Sequence, residues 1–161
     1  MDRVLLVLGV LALAVVVGFV WRSRNGRFTP VPPGVLAAAT PAGGADGPAD
    51  EPRDDVLTAA EVGAPLGAVA TFVQLSSEVC TPCRRTHAVL DAVAREHDGV
   101  SHVDLDVAQH LDLVRRFGVM RTPTVLLLDA SGAVVGRMSG ATDRRQALAA
   151  LDSCRHGVAT R

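Results

Sequence analysis

At 161 residues, 48% of them hydrophobic, the chain can form one domain with a moderate core plus appendages. Aromatic residues make up only 3% and tyrosine is absent, so that core has to be built from Val, Leu and Ala. A formal net charge of -1 leaves no nucleic-acid footprint, and 3 cysteines are too few for a disulfide-stapled scaffold. All 16 basic residues are Arg, which with the Ala, Gly and Val excess fits a GC-rich bacterial genome.

Val4 to Val20 is an unbroken apolar run closed by Trp21. Its length is at the short end of a membrane-spanning helix, and Trp21 suits an interfacial anchor. A cleaved signal peptide is the rival reading, but Gly18-Phe19-Val20-Trp21-Arg22 is bulky where a cleavage site needs small residues. Residues 1–22 are therefore expected to be a single-pass plasma-membrane anchor. Arg22, Arg24 and Arg27 follow the run, whereas Arg3 before it is offset by Asp2. The positive-inside rule then favours a cytoplasmic placement of the rest, with an extracytoplasmic placement as the alternative.

Residues 23–55 read as a flexible linker. Pro30, Pro32, Pro33, Pro41, Pro48 and Pro52 alternate with Gly, Ala and Asp, and no hydrophobic period survives. The folded domain is expected over 56–155, followed by a short tail at 156–161. Thr58-Ala59-Ala60-Glu61 has capping-box spacing, which predicts a short helix.

Val69 to Leu75 is apolar and rich in β-branched residues, the pattern of a buried strand. Ser76 to Arg85 carries Cys80-Thr81-Pro82-Cys83, and a helix is expected to run from Arg84 to His97. A C-x-x-C pair at a strand-to-helix junction brings two thiols within disulfide reach. The first thiol meets the unpaired N–H groups and positive dipole end of the helix, which favour a thiolate. Such a pair can switch reversibly by two electrons. Cys80 is thus the candidate nucleophile and Cys83 the candidate resolving thiol. Thr81 and Pro82 lie between the sulfurs, and Arg84 and Arg85 oppose the dipole unless an anion or solvent compensates them. His87, one turn beyond Cys83, is either a packed or surface side chain, a proton shuttle, or a metal donor beside the two thiols.

Ser101 to Asp106 alternates like a strand, Gln109 to Phe117 is helical in period and is stopped by Gly118, and Thr124 to Asp129 is an apolar strand. Ala130-Ser131-Gly132 predicts a hairpin turn into a strand over Ala133 to Met138. Thr142 or Asp143 can cap a last helix with Ala147, Leu148 and Leu151 facing inward. Cys154 near its end is a spectator or an intermolecular partner. The order β, α, β, α, β, β, α predicts an α/β fold, a mixed sheet with helices on both faces.

C-x-x-C alone is weak, since zinc ribbons share it. Combined with the strand ending at Asp106, with Phe117-Gly118-Val119-Met120-Arg121-Thr122-Pro123-Thr124, and with the Ser131-Gly132 hairpin before Gly140, it resembles the thioredoxin family over Val56 to Ser153. The resemblance implies a thioredoxin fold and a membrane-anchored bacterial (actinobacterial) thioredoxin-domain protein, working as a thiol:disulfide oxidoreductase with no cofactor beyond its Cys80–Cys83 pair. It also implies a cis Pro123 against the pair, and a peptide-binding role for Thr122 with Arg121 at the rim. Protein disulfides would be the substrates, and a reductase-like or membrane thiol carrier the electron donor. The chain departs from the family at several points. Val79 replaces a tryptophan, Thr81 a glycine, Gln74 a buried carboxylate, and Ala88 a helix-kinking proline, and extra residues precede Phe117. A metallochaperone holding copper or zinc through Cys80, Cys83 and His87, and a non-catalytic scaffold, are the competing functions.

Overall fold

The computed structural model describes the backbone of residues 2–24, 28–30 and 55–158, and the side chains of residues 6–20 and 55–155. In chain order the elements are α1 (Asp2–Arg24), β1 (Phe28–Pro30), α2 (Ala59–Val62), β2 (Ala70–Ser76), α3 (Thr81–Glu96), β3 (Val100–Asp106), α4 (Leu111–Arg116), β4 (Thr124–Asp129), β5 (Val134–Ser139) and α5 (Arg144–Val158).

The five strands form one sheet in the order β1-β5-β4-β2-β3. Strands β2 and β3 run parallel, which requires the α3 crossover between them; β2–β4, β4–β5 and β1–β5 are antiparallel. The period-2 alternation sorts side chains onto two faces. Phe72, Val125, Leu127 and Met138 meet Leu90 and Val93 of α3 and Ala147, Ala150 and Leu151 of α5. On the opposite face Val73, Leu75, Leu126 and Leu128 meet Leu57, Val62, Leu113 and Phe117. The expected aliphatic core is thus two layers, one on each side of a mixed sheet. Leu148 is only partly buried against the first layer.

Local signals end the elements where physical chemistry requires. Thr58 caps α2 in a capping box, its side chain accepting from the Glu61 N–H while Glu61 accepts from the Thr58 N–H, and Gly63 closes the helix in the left-handed region. Asp143, rather than Thr142, caps α5, accepting from the Gln146 N–H at 2.9 Å. Thr142 instead donates its own N–H to Thr86 Oγ1 at 3.1 Å, which fastens the start of α5 to α3. The first turn of α3 begins at Thr81, earlier than the expected Arg84, because Pro82 is tolerated there.

Two expectations need correction. The apolar run does form a helix, but among the described residues no helix is long and apolar enough to cross a membrane. That observation gives the single-span, plasma-membrane expectation no support, and Trp21, Arg22 and Arg27 lie outside the described side chains. Second, part of the expected linker is paired: Phe28–Pro30 adds to the edge of β5 opposite Gly136 to Met138. That edge offers free backbone groups to any extended segment, and Pro30 is compatible with an edge position. Residues 25–27 and 31–54 of the expected linker, and the end of the tail, 159–161, lie outside the described residues.

The hairpin after β4 shows how tightly the turn is specified. Asp129 Oδ1 accepts from the N–H groups of Ser131 and Ala133, and Gly132 has φ +85. A Cβ on Gly132 would lie 2.2 Å from the Leu57 carbonyl oxygen, a backbone atom that cannot swing aside. Gly118 also has positive φ (+54) but nothing within 4 Å of its Cβ position. Gly118→Ala should then cost about 1–2 kcal/mol of backbone strain alone. Gly132→Ala should cost measurably more in urea denaturation, and equal losses would contradict the close approach to Leu57.

Candidate functional site

The site is built at the junction of β2 and α3. Cys80 is the N-cap of α3, and its Sγ accepts from the Cys83 N–H at 3.1 Å, taking one of the donors that a helix start leaves unpaired. Cys80 and Cys83 form a disulfide with Cα atoms 5.2 Å apart. Cys80 is half-buried while Cys83 is 3% exposed. The first turn of α3 holds no acidic residue. Arg84 donates to Thr81 Oγ1 at 3.1 Å, so its guanidinium stays on that turn, and Arg85 is exposed.

Against this junction lies the loop before β4. The Thr122–Pro123 peptide bond is cis, as the resemblance implies, and Pro123 is buried. Ser77 Oγ and Thr122 Oγ1 are 3.4 Å apart, which ties the cysteine loop to the proline loop. The Pro123 carbonyl accepts from the Gly140 N–H at 2.8 Å, and Arg121 is exposed at the rim, its carbonyl accepting from Thr124 Oγ1. Val79, next to Cys80, is 92% exposed, and Met120, in the turn before the proline, is 90% exposed.

Sequence reasoning missed Arg137. From β5 it donates to the carbonyls of Phe117 and Gly118 at 2.7 and 3.1 Å, anchoring the start of the loop that carries the cis proline. Period-2 alternation placed it opposite the buried Gly136 and Met138, but nothing local named its acceptors.

Beneath the pair, Gln74 is fully buried on β2. Its Nε2 donates to the Cys83 carbonyl at 3.1 Å, to Ser76 Oγ at 2.7 Å and to Asp104 Oδ2 at 3.3 Å. Parallel pairing sets Asp104 directly beside Gln74, and His102 beside Phe72. Asp104 Oδ2 lies 2.9 Å from His87 Nδ1, so a carboxylate holds the His87 ring. His87 and His102 meet edge to face with ring centroids 5.0 Å apart. A pocket of about 570 Å³ opens here, lined among others by Cys83, His87 and Asp104. Among the described residues, no group of three or more His, Cys, Asp or Glu is placed to hold a metal ion, so the three-donor site considered for Cys80, Cys83 and His87 is not assembled. Cys154 is buried in the core, where burial pushes its thiol pKa up; pairing with another chain has no access there.

Burial pushes the His102 imidazole down to about 4, with the neighbouring His87 acting in the same direction. A base whose folded pKa is depressed leaves the unfolded chain binding more protons between the two values. Stability should therefore fall as pH drops from the ordinary 6.5 toward about 4. The loss at full titration is on the order of a few kcal/mol. Urea denaturation across this range should show that acid limb, and His102→Gln should flatten it; an identical limb in the variant would remove His102 as its source.

The chain matches known proteins over the region that carries this geometry. The profile of the thioredoxin-like domain matches residues 55–155. The chain is 35% identical to a thioredoxin of Pseudomonas aeruginosa over 83 residues, which is 51% of this chain and 76% of that protein. It is 33% identical to a thioredoxin of Echinococcus granulosus over 64 residues, 40% of this chain and 59% of that protein, so it spans less than two thirds of that relative. Among solved structures it is similar to Fasciola hepatica thioredoxin, at 24% identity and a TM-score of 0.47 over 53% of this chain and 82% of the other. It is also similar to the long form of spinach chloroplast thioredoxin F, at 26% identity and a TM-score of 0.49 over 55% of this chain and 73% of the other. With the profile match covering well over half of its length, the chain belongs to the thioredoxin-like family.

Proposed function

We propose that the protein is a thiol:disulfide oxidoreductase acting on protein disulfides. The observation that carries this reading is the Cys80–Cys83 disulfide at the start of α3, with Cys80 accessible and Cys83 buried, beside the cis Thr122–Pro123 bond. In the reduced state Cys80 attacks a substrate disulfide from the helix start, where backbone donors and the dipole favour the anion. Cys83 then attacks Cys80 Sγ and releases the reduced substrate. The two electrons reside in the sulfur pair, so the cycle calls for no bound cofactor, and a thiol electron donor regenerates the dithiol.

Substrate contact falls to Thr81, Pro82, Thr122 and Arg121. The exposed Val79 and Met120 add apolar surface beside the sulfurs, suited to an extended peptide. The non-catalytic scaffold reading predicts no turnover. Insulin reduction with dithiothreitol as electron source separates the two.

Membrane tethering belongs to the same proposal. Leu6, Leu11, Leu13 and Phe19 of α1 are each more than half exposed, an apolar surface that water disfavours and lipid would cover. The domain would then face whichever side supplies its thiol donor, the cytoplasm on the arginine pattern.

Two outcomes are expected. Cys83→Ser should accumulate mixed disulfides with partner proteins on non-reducing gels, and Cys80→Ser should accumulate few; equal trapping would reverse or abolish the assigned order. In cell fractionation the whole chain should pellet with membranes and resist alkaline extraction, whereas a chain lacking residues 1–27 should be released. Release of both would end the tethering reading without touching the redox one.

A further inference from the structure

The resolving step requires Cys83 to lose a proton, and the structure restricts where it can go. Cys83 is 3% exposed, and the side chain packed under it is Gln74, an amide that does not titrate. The proton has to leave sideways, into the pocket that Cys83 shares with Glu78, Arg84, His87, Asp104 and Asp106. Arg84 stays protonated and cannot accept. Glu78 is exposed on the loop, and Asp106 Oδ1 is occupied by the Ala108 N–H at 3.0 Å. His87 is different: it lies one helical turn from Cys83 on the same face of α3 and is fixed by Asp104 at 2.9 Å.

We propose that His87, oriented by Asp104, takes the proton from the Cys83 thiol when the mixed disulfide on Cys80 is resolved. This deepens the oxidoreductase reading and rests on it. Donation from Nδ1 to the carboxylate selects the tautomer that leaves Nε2 with its lone pair. The anchor is itself held, because Asp104 Oδ2 also accepts from Gln74 Nε2, which in turn donates to the Cys83 carbonyl. One hydrogen-bonded chain thus runs from Cys83 through Gln74 and Asp104 to His87. The remaining groups facing the pair fit the role. His102 meets His87 edge to face and stays neutral at physiological pH, so it adds no competing cation. Asp91, further along α3, is paired with Arg95.

The step balances. The Cys83 S–H gives its proton to His87 Nε2 across the pocket, and its electron pair forms the bond to Cys80 Sγ. The substrate sulfur departs with the electrons of the broken S–S bond and collects the proton from the imidazolium. Cys80 and Cys83 are oxidised together by two electrons, and the substrate disulfide is reduced to two thiols. His87 and Asp104 side chains are 49% and 28% exposed, so substitutions there leave the core intact.

The test is stopped-flow reaction of the reduced full chain with 5,5′-dithiobis(2-nitrobenzoic acid) across pH. Attack by Cys80 releases the first thionitrobenzoate, and attack by Cys83 on the mixed disulfide releases the second. In the unmodified chain the second phase should have a pH profile that differs in shape from the steady rise of thiol ionisation. His87→Gln should slow that phase by roughly 10–100-fold near neutral pH and leave it only the steady rise of thiol ionisation, while the first phase stays within about twofold. Asp104→Asn should give a smaller loss, because the imidazole remains but its Nδ1 is no longer held by a carboxylate. A second phase unchanged by His87→Gln at every pH overturns the proposal and leaves the oxidoreductase reading standing. Absence of any second release from the unmodified chain would overturn that reading itself.

Discussion

The contact on which the site depends is the Cys83 N–H pointing at Cys80 Sγ, 3.1 Å away. A helix start leaves backbone donors without intrahelical acceptors, and ordinarily a hydroxyl or carboxylate oxygen takes one. Here a sulfur does, which fixes that sulfur at the positive end of α3 and sets the second cysteine one turn inward. Everything around it serves to hold this start in place. Parallel pairing of β2 with β3 demands a crossover helix packed on the sheet, and Leu90 and Val93 bury its inner face. Thr86 fastens it to α5, and Gln74 holds the Cys83 carbonyl from below.

Most of the fold was legible because its signals are local. Thr58 and Glu61 name a helix start by spacing alone, β4 is apolar throughout because both its faces are covered, and Ser131-Gly132 marks the hairpin. The cysteine pair and the cis proline were legible through motif and resemblance. What escaped was set by register. The alternation of Ser101 to Asp106 does put His102 and Asp104 on one face, but only the parallel pairing with β2 sets Asp104 beside Gln74. His87 then meets that carboxylate through the docking angle of α3, which no sequence period encodes. The edge strand β1 escaped for a similar reason: Phe28-Thr29-Pro30 is too short to show a period and lies in a proline-rich stretch, and it joins the sheet because the β5 edge is open.

Gln74 shows how a polar group can sit in a core without a charge. Its Nε2 has three acceptors for two hydrogens, while its Oε1 and the Nε2 of His102 are buried without a hydrogen-bond partner. An unsatisfied buried acceptor costs about 1–3 kcal/mol, so this face of the sheet is less stable than an apolar packing of the same shape. The cost is confined to the strip between Cys83 and β3, where the pocket opens and the titratable side chains gather. The apolar layers on both faces of the sheet carry the stability that such a strip gives up.

The charges around Cys80 differ in effect between the two redox states. The first turn of α3 offers its dipole and two arginines, with no acidic residue to meet them. Among the described residues, Arg84 has the neutral Thr81 hydroxyl as its hydrogen-bond partner in the disulfide state. Reduction supplies the missing partner, because a Cys80 thiolate places a negative charge at the helix start, where such a charge is favoured by about 0.3–1 kcal/mol. At about 30 mV per 1.4 kcal/mol, that interaction raises the potential of the pair by roughly 6–20 mV. The effect is small beside the spread of potentials among dithiol proteins, but its sign is fixed by position: stabilising the reduced form makes the pair a better oxidant. A carboxylate directly under Cys83 would act in the opposite direction, and Gln74 removes it. An amide under the second sulfur and a carboxylate at Asp104, on the neighbouring strand, thus separate the charge that would oppose the thiolate from the group that can anchor a proton acceptor.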